Sequence, residues 1–99
     1  MNTESLSDLR LSDFSTHIAD TMRIDMGADS LNAVLISATA IGGYTPREGG
    51  GFAVQFRIRG AQPFQGTYQL HHPSFGVLPL FMTPRQKLGD DIVFEAVVN

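Results

Sequence analysis

The second half of the chain carries three β-like runs in close succession, and their spacing constrains the fold more than any other feature. The runs are Gly66-Thr67-Tyr68-Gln69-Leu70-His71-His72-Pro73, Val77-Leu78-Pro79-Leu80-Phe81-Met82 and Ile92-Val93-Phe94-Glu95-Ala96-Val97-Val98. Between them stand His72-Pro73-Ser74-Phe75-Gly76 and Leu88-Gly89-Asp90-Asp91. Clusters of Gly, Pro and Asp interrupt regular structure, so short strands separated this way form an antiparallel meander. Alternation puts Tyr68 and Leu70 inward, and gives Leu78, Leu80 and Met82 one face against Val77, Pro79 and Phe81 on the other. Pro79 has no N–H for a ladder, so its strand is expected at an edge or at a bulge. The last run sets Phe94, Ala96 and Val98 opposite Val93, Glu95 and Val97.

The first half is read by the same periodicities. Residues 1–10 are polar and expected to be a flexible N-terminus, with Leu6 and Leu9 as anchors, and residues 11–99 to be a single β domain. Ser12 and Asp13 can cap a helical turn to about Ile18, with Phe14 and Ile18 inward. Met22, Ile24 and Met26 then alternate with polar neighbours as far as Gly27. Residues 30–41 fit two patterns: helical spacing through Leu31, Val34, Leu35, Ala38 and Ile41, or a strand with Val34, Ile36 and Ala38 inward. The β-branched Val34, Ile36, Thr39 and Ile41 favour the strand. Tyr44 through Gly51 is a hairpin loop, and Phe52, Val54, Phe56 and Ile58 follow in strict period-2 alternation. The expected fold is all-β: about six antiparallel strands forming a small barrel or sandwich, with a short N-terminal helical turn.

Composition narrows the function classes. Ninety-nine residues, 42% hydrophobic, support one core. There is no cysteine, which excludes disulfides, thiolate nucleophiles and Cys-based zinc sites. Seven Lys and Arg among ten acids give a net charge of −3 and no basic stripe, an argument against nucleic acid as the partner. No apolar run is long enough for a membrane span. Met1 to Ser5 shows no signal peptide, which leaves the cytoplasm as the default expectation.

Candidate chemistry is sparse. His17, His71 and His72 are the only imidazoles. Adjacent strand residues face opposite ways, so His71 and His72 cannot readily share a metal; His72 is expected to fix the Pro73 turn through a ring-nitrogen hydrogen bond to backbone. Ser74, His72 and Asp90 have the residue types of a catalytic triad without any nucleophile signature. Gly49-Gly50-Gly51 lacks the Lys-Ser/Thr and helix of a phosphate loop. Asp90, Asp91 and Glu95 lack EF-hand spacing, and the aspartates read as turn residues. Arg57 and Arg59 share a solvent face and either grip an anion or pair with cross-strand acids such as Asp25 or Glu95. Met22, Met26 and Met82 read as core filler. No cofactor and no metal is expected.

The phrase Gln65-Gly66-Thr67-Tyr68-Gln69-Leu70-His71-His72-Pro73, continued by Phe75-Gly76, Leu80-Phe81 and Pro84 and closed by Phe94-Glu95-Ala96-Val97-Val98-Asn99, resembles a family of small bacterial proteins known as a domain of unknown function. The family pattern is QG-x-Y-x-L-x-H-P-x-x-G, a Leu-Phe-x-x-Pro segment and a terminal Tyr-Glu-Ala-x-x-Asn. This chain departs from it with Phe94 in place of Tyr and with His71 ahead of the His-Pro pair. The resemblance covers the second half well and the first half by pattern. It implies a compact β fold, no established activity and a place beside a tail-fibre-like or tail-collar-like assembly.

The resulting expectation is a protein that is not an enzyme: a structural or accessory protein working through protein–protein contacts, with another protein or a second copy as partner. The contact surface is an edge strand or the apolar face carrying Val77 and Phe81. The alternative is a small-molecule or carbohydrate binding module using Tyr44, Arg57 and Arg59. The absence of Trp, with only Tyr44 and Tyr68 for stacking, weighs against sugar binding.

Overall fold

The computed structural model describes residues 9–42 and 51–98. In chain order its elements are a helical turn α1 (Ser12–Ser15) and six strands: β1 (Thr21–Met26), β2 (Asp29–Ala40), β3 (Phe52–Arg59), β4 (Gly66–His72), β5 (Gly76–Leu88) and β6 (Asp91–Val98). All pairings are antiparallel, and the sheet closes as a barrel in the order β1-β2-β3-β6-β5-β4. The all-β class, the six strands and the N-terminal turn are as expected, and of barrel and sandwich the chain adopts the barrel. Closure pairs the strands that an open sheet would leave at its rim. The expectation of an edge strand as a contact surface therefore gives way to the barrel's outer wall.

Two three-stranded meanders, β1-β2-β3 and β4-β5-β6, are joined so that like strands meet, β1 with β4 and β3 with β6. Each has a long middle strand, 12 residues in β2 and 13 in β5. Each middle strand carries a bulge, at Ile36 and at Arg85. A long bulged strand can pair with one neighbour along its first half and bend to meet the other with its second. β5 does this, pairing β4 over Gly76–Met82 and β6 over Met82–Leu88. Pro79 thus sits before the β6 ladder begins, where its missing N–H is tolerated, and the bulge lies six residues later. The strand also runs well past Met82, where the sequence reading ends it.

The ambiguous stretch at 30–41 is strand, but with a different inner face. Ala33 and Leu35 are fully buried, whereas Ile36 is 39% exposed. The bulge at Ile36 shifts the alternation by one, bringing Ala38 back against the core. Elsewhere the alternation holds except past the β5 bulge at Arg85 and at Val93, expected on the outer face but buried. Phe52, Val54, Phe56 and Ile58 from β3, Leu78, Leu80 and Met82 from β5, and Phe94, Ala96 and Val98 from β6 fill the interior. Tyr68 packs edge-on against Phe94 at 6.2 Å between ring centroids.

The barrel has two unlike ends. At one, α1 and the residues before it act as a stopper: Leu9 and Phe14 are fully buried, and Phe14 lies 5.8 Å from the Phe52 ring. The packed unit thus includes Leu9, ahead of the expected boundary at 11. Ile18, expected inward, is 43% exposed because the helix stops at Ser15 and the chain turns outward, reaching φ +75° at Ala19. Ala19 N–H then donates to the Leu35 carbonyl (2.7 Å) and Leu35 N–H to that of Asp20 (3.0 Å), leading directly into the β1–β2 ladder. The other end carries the two-residue turns Gly27-Ala28 and Gly89-Asp90 and the connection 60–65 that crosses from β3 to β4. Gly27 and Gly89 have φ of +67° and +63°, the left-handed backbone such tight hairpins use.

Candidate functional site

The barrel wall presents one uncharged row across five strands. Cross-strand pairing sets Thr39 beside Ala53, Ala53 beside Val97, and Phe81 beside Thr67. One step beyond Met82↔Ala96, the β5–β6 register places Phe81 next to Val97. Phe81 is 55% exposed and Val97 52%. Val77 shares the outer face of β5 with Phe81 but is half-buried, opposite His71. Val97 was missed as a partner of Phe81 because its position beside that ring depends on register, which no local pattern in either strand reveals. Along the next row Ser37 Oγ donates to Gln55 Oε1 (3.4 Å) and Gln55 Nε2 to Glu95 Oε2 (3.5 Å), so the uncharged row is bordered by a polar one.

Arg57 and Arg59 do share the outer face of β3, but their acid is neither Asp25 nor Glu95. Arg59 stands directly opposite Asp91 in the β3–β6 register. Arg57 Nε donates to Asp91 Oδ2 at 2.6 Å and Arg59 Nε to Oδ1 at 3.1 Å. The hydrogen bond from Arg57, with Arg59 beside it, holds the Asp91 carboxyl below the ordinary carboxylate range despite its burial. Tyr44 lies outside the described residues. The site residues named from sequence are therefore not one site: Val77 and Phe81 line the β5 wall, and the two arginines converge on Asp91.

Each histidine has a partner. His72 is buried, and its Nδ1 accepts the Ser74 N–H at 3.0 Å. With Nδ1 accepting, Nε2 carries the proton and donates to the Asp13 carbonyl at 2.7 Å. The ring thus fixes the Pro73 turn, as expected, and also ties α1 to β4. Burial pushes the His72 pKa down, against the opposing pull of the Asp13 carbonyl. Phe14, His17 and Phe75 surround the ring with centroids 5.0, 5.4 and 5.2 Å away. On the wall, His71 Nε2 lies 2.8 Å from Asp25 Oδ2 and bridges the β1–β4 seam. That hydrogen bond is the main reason the Asp25 carboxyl is held below its ordinary value. His17 Nδ1 lies 2.9 Å from Asp20 Oδ2. Ser74 and His72 sit at the stoppered end and Asp90 at the other, so the triad of residue types is not assembled. Among the described residues, no group of three or more His, Asp or Glu side chains gathers as a metal-binding set.

A groove of about 410 Å³ opens at the hairpin end, between the crossing connection and the β5–β6 turn. Gly60 N–H donates to the Asp90 carbonyl at 3.2 Å and ties its two walls together. It is lined by the buried Ile92 and the half-buried Pro84 together with the exposed Arg85, Lys87, Gln62 and Gln86.

Together these features define a small closed antiparallel barrel, stoppered at one end and grooved at the other, with an apolar strip on its wall. The family model described as Domain of unknown function (DUF6916) matches residues 9–98, so the chain belongs to that family. No curated protein and no solved structure matches it.

Proposed function

We propose that this chain is a non-enzymatic accessory protein that binds another protein through the outer wall of β5 and β6. The observation that carries this reading is the exposure of Phe81 and Val97, each more than half exposed and brought side by side by extending the β5–β6 register one step beyond Met82↔Ala96, in a row without charge. Exposed aromatic and aliphatic side chains that stand together are the usual anchors of protein contacts, because burying them in an interface releases ordered water over a continuous area. The engagement of all three histidines with carboxylates or backbone supports a structural rather than a chemical use of these rings. A tail-fibre-like or tail-collar-like assembly is the setting in which to look for the partner first.

The test is a photo-cross-linking amino acid placed at position 81 in native cells, with position 23 as the exposed control. One defined adduct at position 81, lost with Val97→Asp and absent at position 23, is the expected result. An adduct with the mass of two copies would identify self-association as the contact. No adduct above the control, together with a monomer at every concentration by light scattering, would sink the reading.

A further inference from the structure

We propose that the groove at the hairpin end binds a small organic anion, its charged head held by Arg85 and Lys87 and its apolar body laid on Pro84 and Ile92. Mouths of β-barrels are frequent ligand sites, and about 410 Å³ falls within the span of small-molecule pockets, roughly 300–1,000 Å³. The opposite mouth is filled by Leu9 and Phe14, whereas this one is spanned by the 60–65 connection and left as a groove.

The cations are placed there by the local backbone. Four of the chain's seven Lys and Arg residues, Arg57, Arg59, Arg85 and Lys87, lie on β3 and β5, although the whole chain carries −3. Arg57 and Arg59 are committed to Asp91, and Arg85 and Lys87 are not. Arg85 is the bulged residue, and a bulge re-aims a side chain out of the strand's alternation. Its Nε forms an exposed ion pair with Glu95 Oε1 at 3.8 Å, too long for a hydrogen bond, so the guanidinium's N–H donors remain available to a ligand. Lys87 pairs with Ile92, a register position that faces the barrel axis, and its exposed side chain lines the groove. Among the described residues Lys87 has no ion-pair partner.

The remaining lining sets the chemistry. Gln62 and Gln86 offer neutral donors and acceptors, and Pro84 and Ile92 an apolar floor. Asp90 is the acid of the groove, and it disfavours highly charged anions by like-charge repulsion. The fit is to a carboxylate or phosphate monoester on a compact apolar body. This site is separate from the Phe81–Val97 strip and does not depend on the protein-contact reading.

The experiment is a titration of the amide-labelled protein by NMR at about 0.1 M salt, near the regime where exposed charges are screened beyond about 10 Å. The probes are benzoate, phenyl phosphate and inorganic phosphate. The expected result is saturable shifts at Gln62, Arg85, Gln86, Lys87 and Gly89 with benzoate or phenyl phosphate, and weaker binding of inorganic phosphate. Tighter binding of benzoate assigns the head as a carboxylate, and of phenyl phosphate as a phosphate. Arg85→Ala and Lys87→Ala should each weaken binding about tenfold, as loss of a charged hydrogen bond does. Both side chains are exposed, so the variants should keep the wild-type spectrum elsewhere. Absence of saturable shifts, equal affinity in both variants, or inorganic phosphate binding as tightly as phenyl phosphate would overturn the proposal.

Discussion

The two ends of the barrel solve different problems with the same six strands. At the α1 end the interior would open to water where β4 ends and β3 begins, and the chain closes it with Leu9, Phe14 and the buried His72. Both ring nitrogens of His72 are satisfied there, and among the described residues no buried side-chain N or O atom lacks a partner. At the hairpin end the closing work is done by tight turns and one crossing segment, which leave long side chains projecting around a groove. The contrast is between an apolar plug at one mouth and, at the other, a groove edged by Lys87 and by Arg85, which is ion-paired to Glu95.

The largest expected effect lies in the plug. Phe14→Ala should cost about 3–5 kcal/mol, the usual range for removing a buried ring, measured by urea denaturation. Lys87→Ala, at the open end, should stay within about 0.5 kcal/mol. Equal costs for the two would erase the distinction between the ends.

The next effect is a pH limb that belongs to the α1 end alone. His72 is neutral in the fold and its pKa is depressed by burial, so the unfolded chain takes up protons more readily as pH falls. Stability is therefore complete above about pH 6.5, the usual imidazole value, and is lost as pH falls below it toward the folded value. Asp13 and His17 are the titratable neighbours facing the ring. His72→Gln should lower stability at pH 7.5 and flatten the slope between pH 7 and 5. An unchanged slope would show that the plug does not depend on the His72 proton.

A smaller acid limb comes from the barrel wall. Asp91, lowered mainly by Arg57, and Asp25, lowered mainly by His71, contribute stability above the ordinary carboxylate range. That contribution disappears as pH falls through about 4 and below, because the unfolded carboxylates protonate first. Urea midpoints between pH 5 and 2 should fall less steeply in Asp91→Asn than in the wild type. If the two profiles run parallel, the Arg57–Asp91–Arg59 cluster is not coupled to folding.

The smallest effect concerns the apolar strip. Phe81→Ser should change stability by no more than about 0.5 kcal/mol, read from thermal denaturation, since the ring is more than half exposed. A cost above about 1.5 kcal/mol would make Phe81 a packing residue and remove the anchor of the proposed contact.

Alternation alone made β3 legible: a strand buried on one face must repeat with period 2, and Phe52, Val54, Phe56 and Ile58 do so without interruption. The turn signals at Gly27 and Gly89 were readable for a similar local reason, since two-residue hairpins need a left-handed φ that glycine supplies most cheaply. That Phe81 faces outward was legible too, and so was a backbone hydrogen bond from His72. In β2 the local code failed, because the bulge at Ile36 resets the alternation and its position depends on how β2 is shared between β1 and β3. The functional surfaces lie beyond local reading altogether. Asp91 as the acid of Arg57 and Arg59 and the Asp13 carbonyl 59 residues from His72 are contacts between distant segments, and the placing of Val97 toward Phe81 follows from the β5–β6 register. The sequence by itself thus determined strands, turns and most inward faces, because those follow from burial period and backbone φ. Register and closure, which only the tertiary structure decides, determined which side chains meet, since one barrel must satisfy all six strands at once.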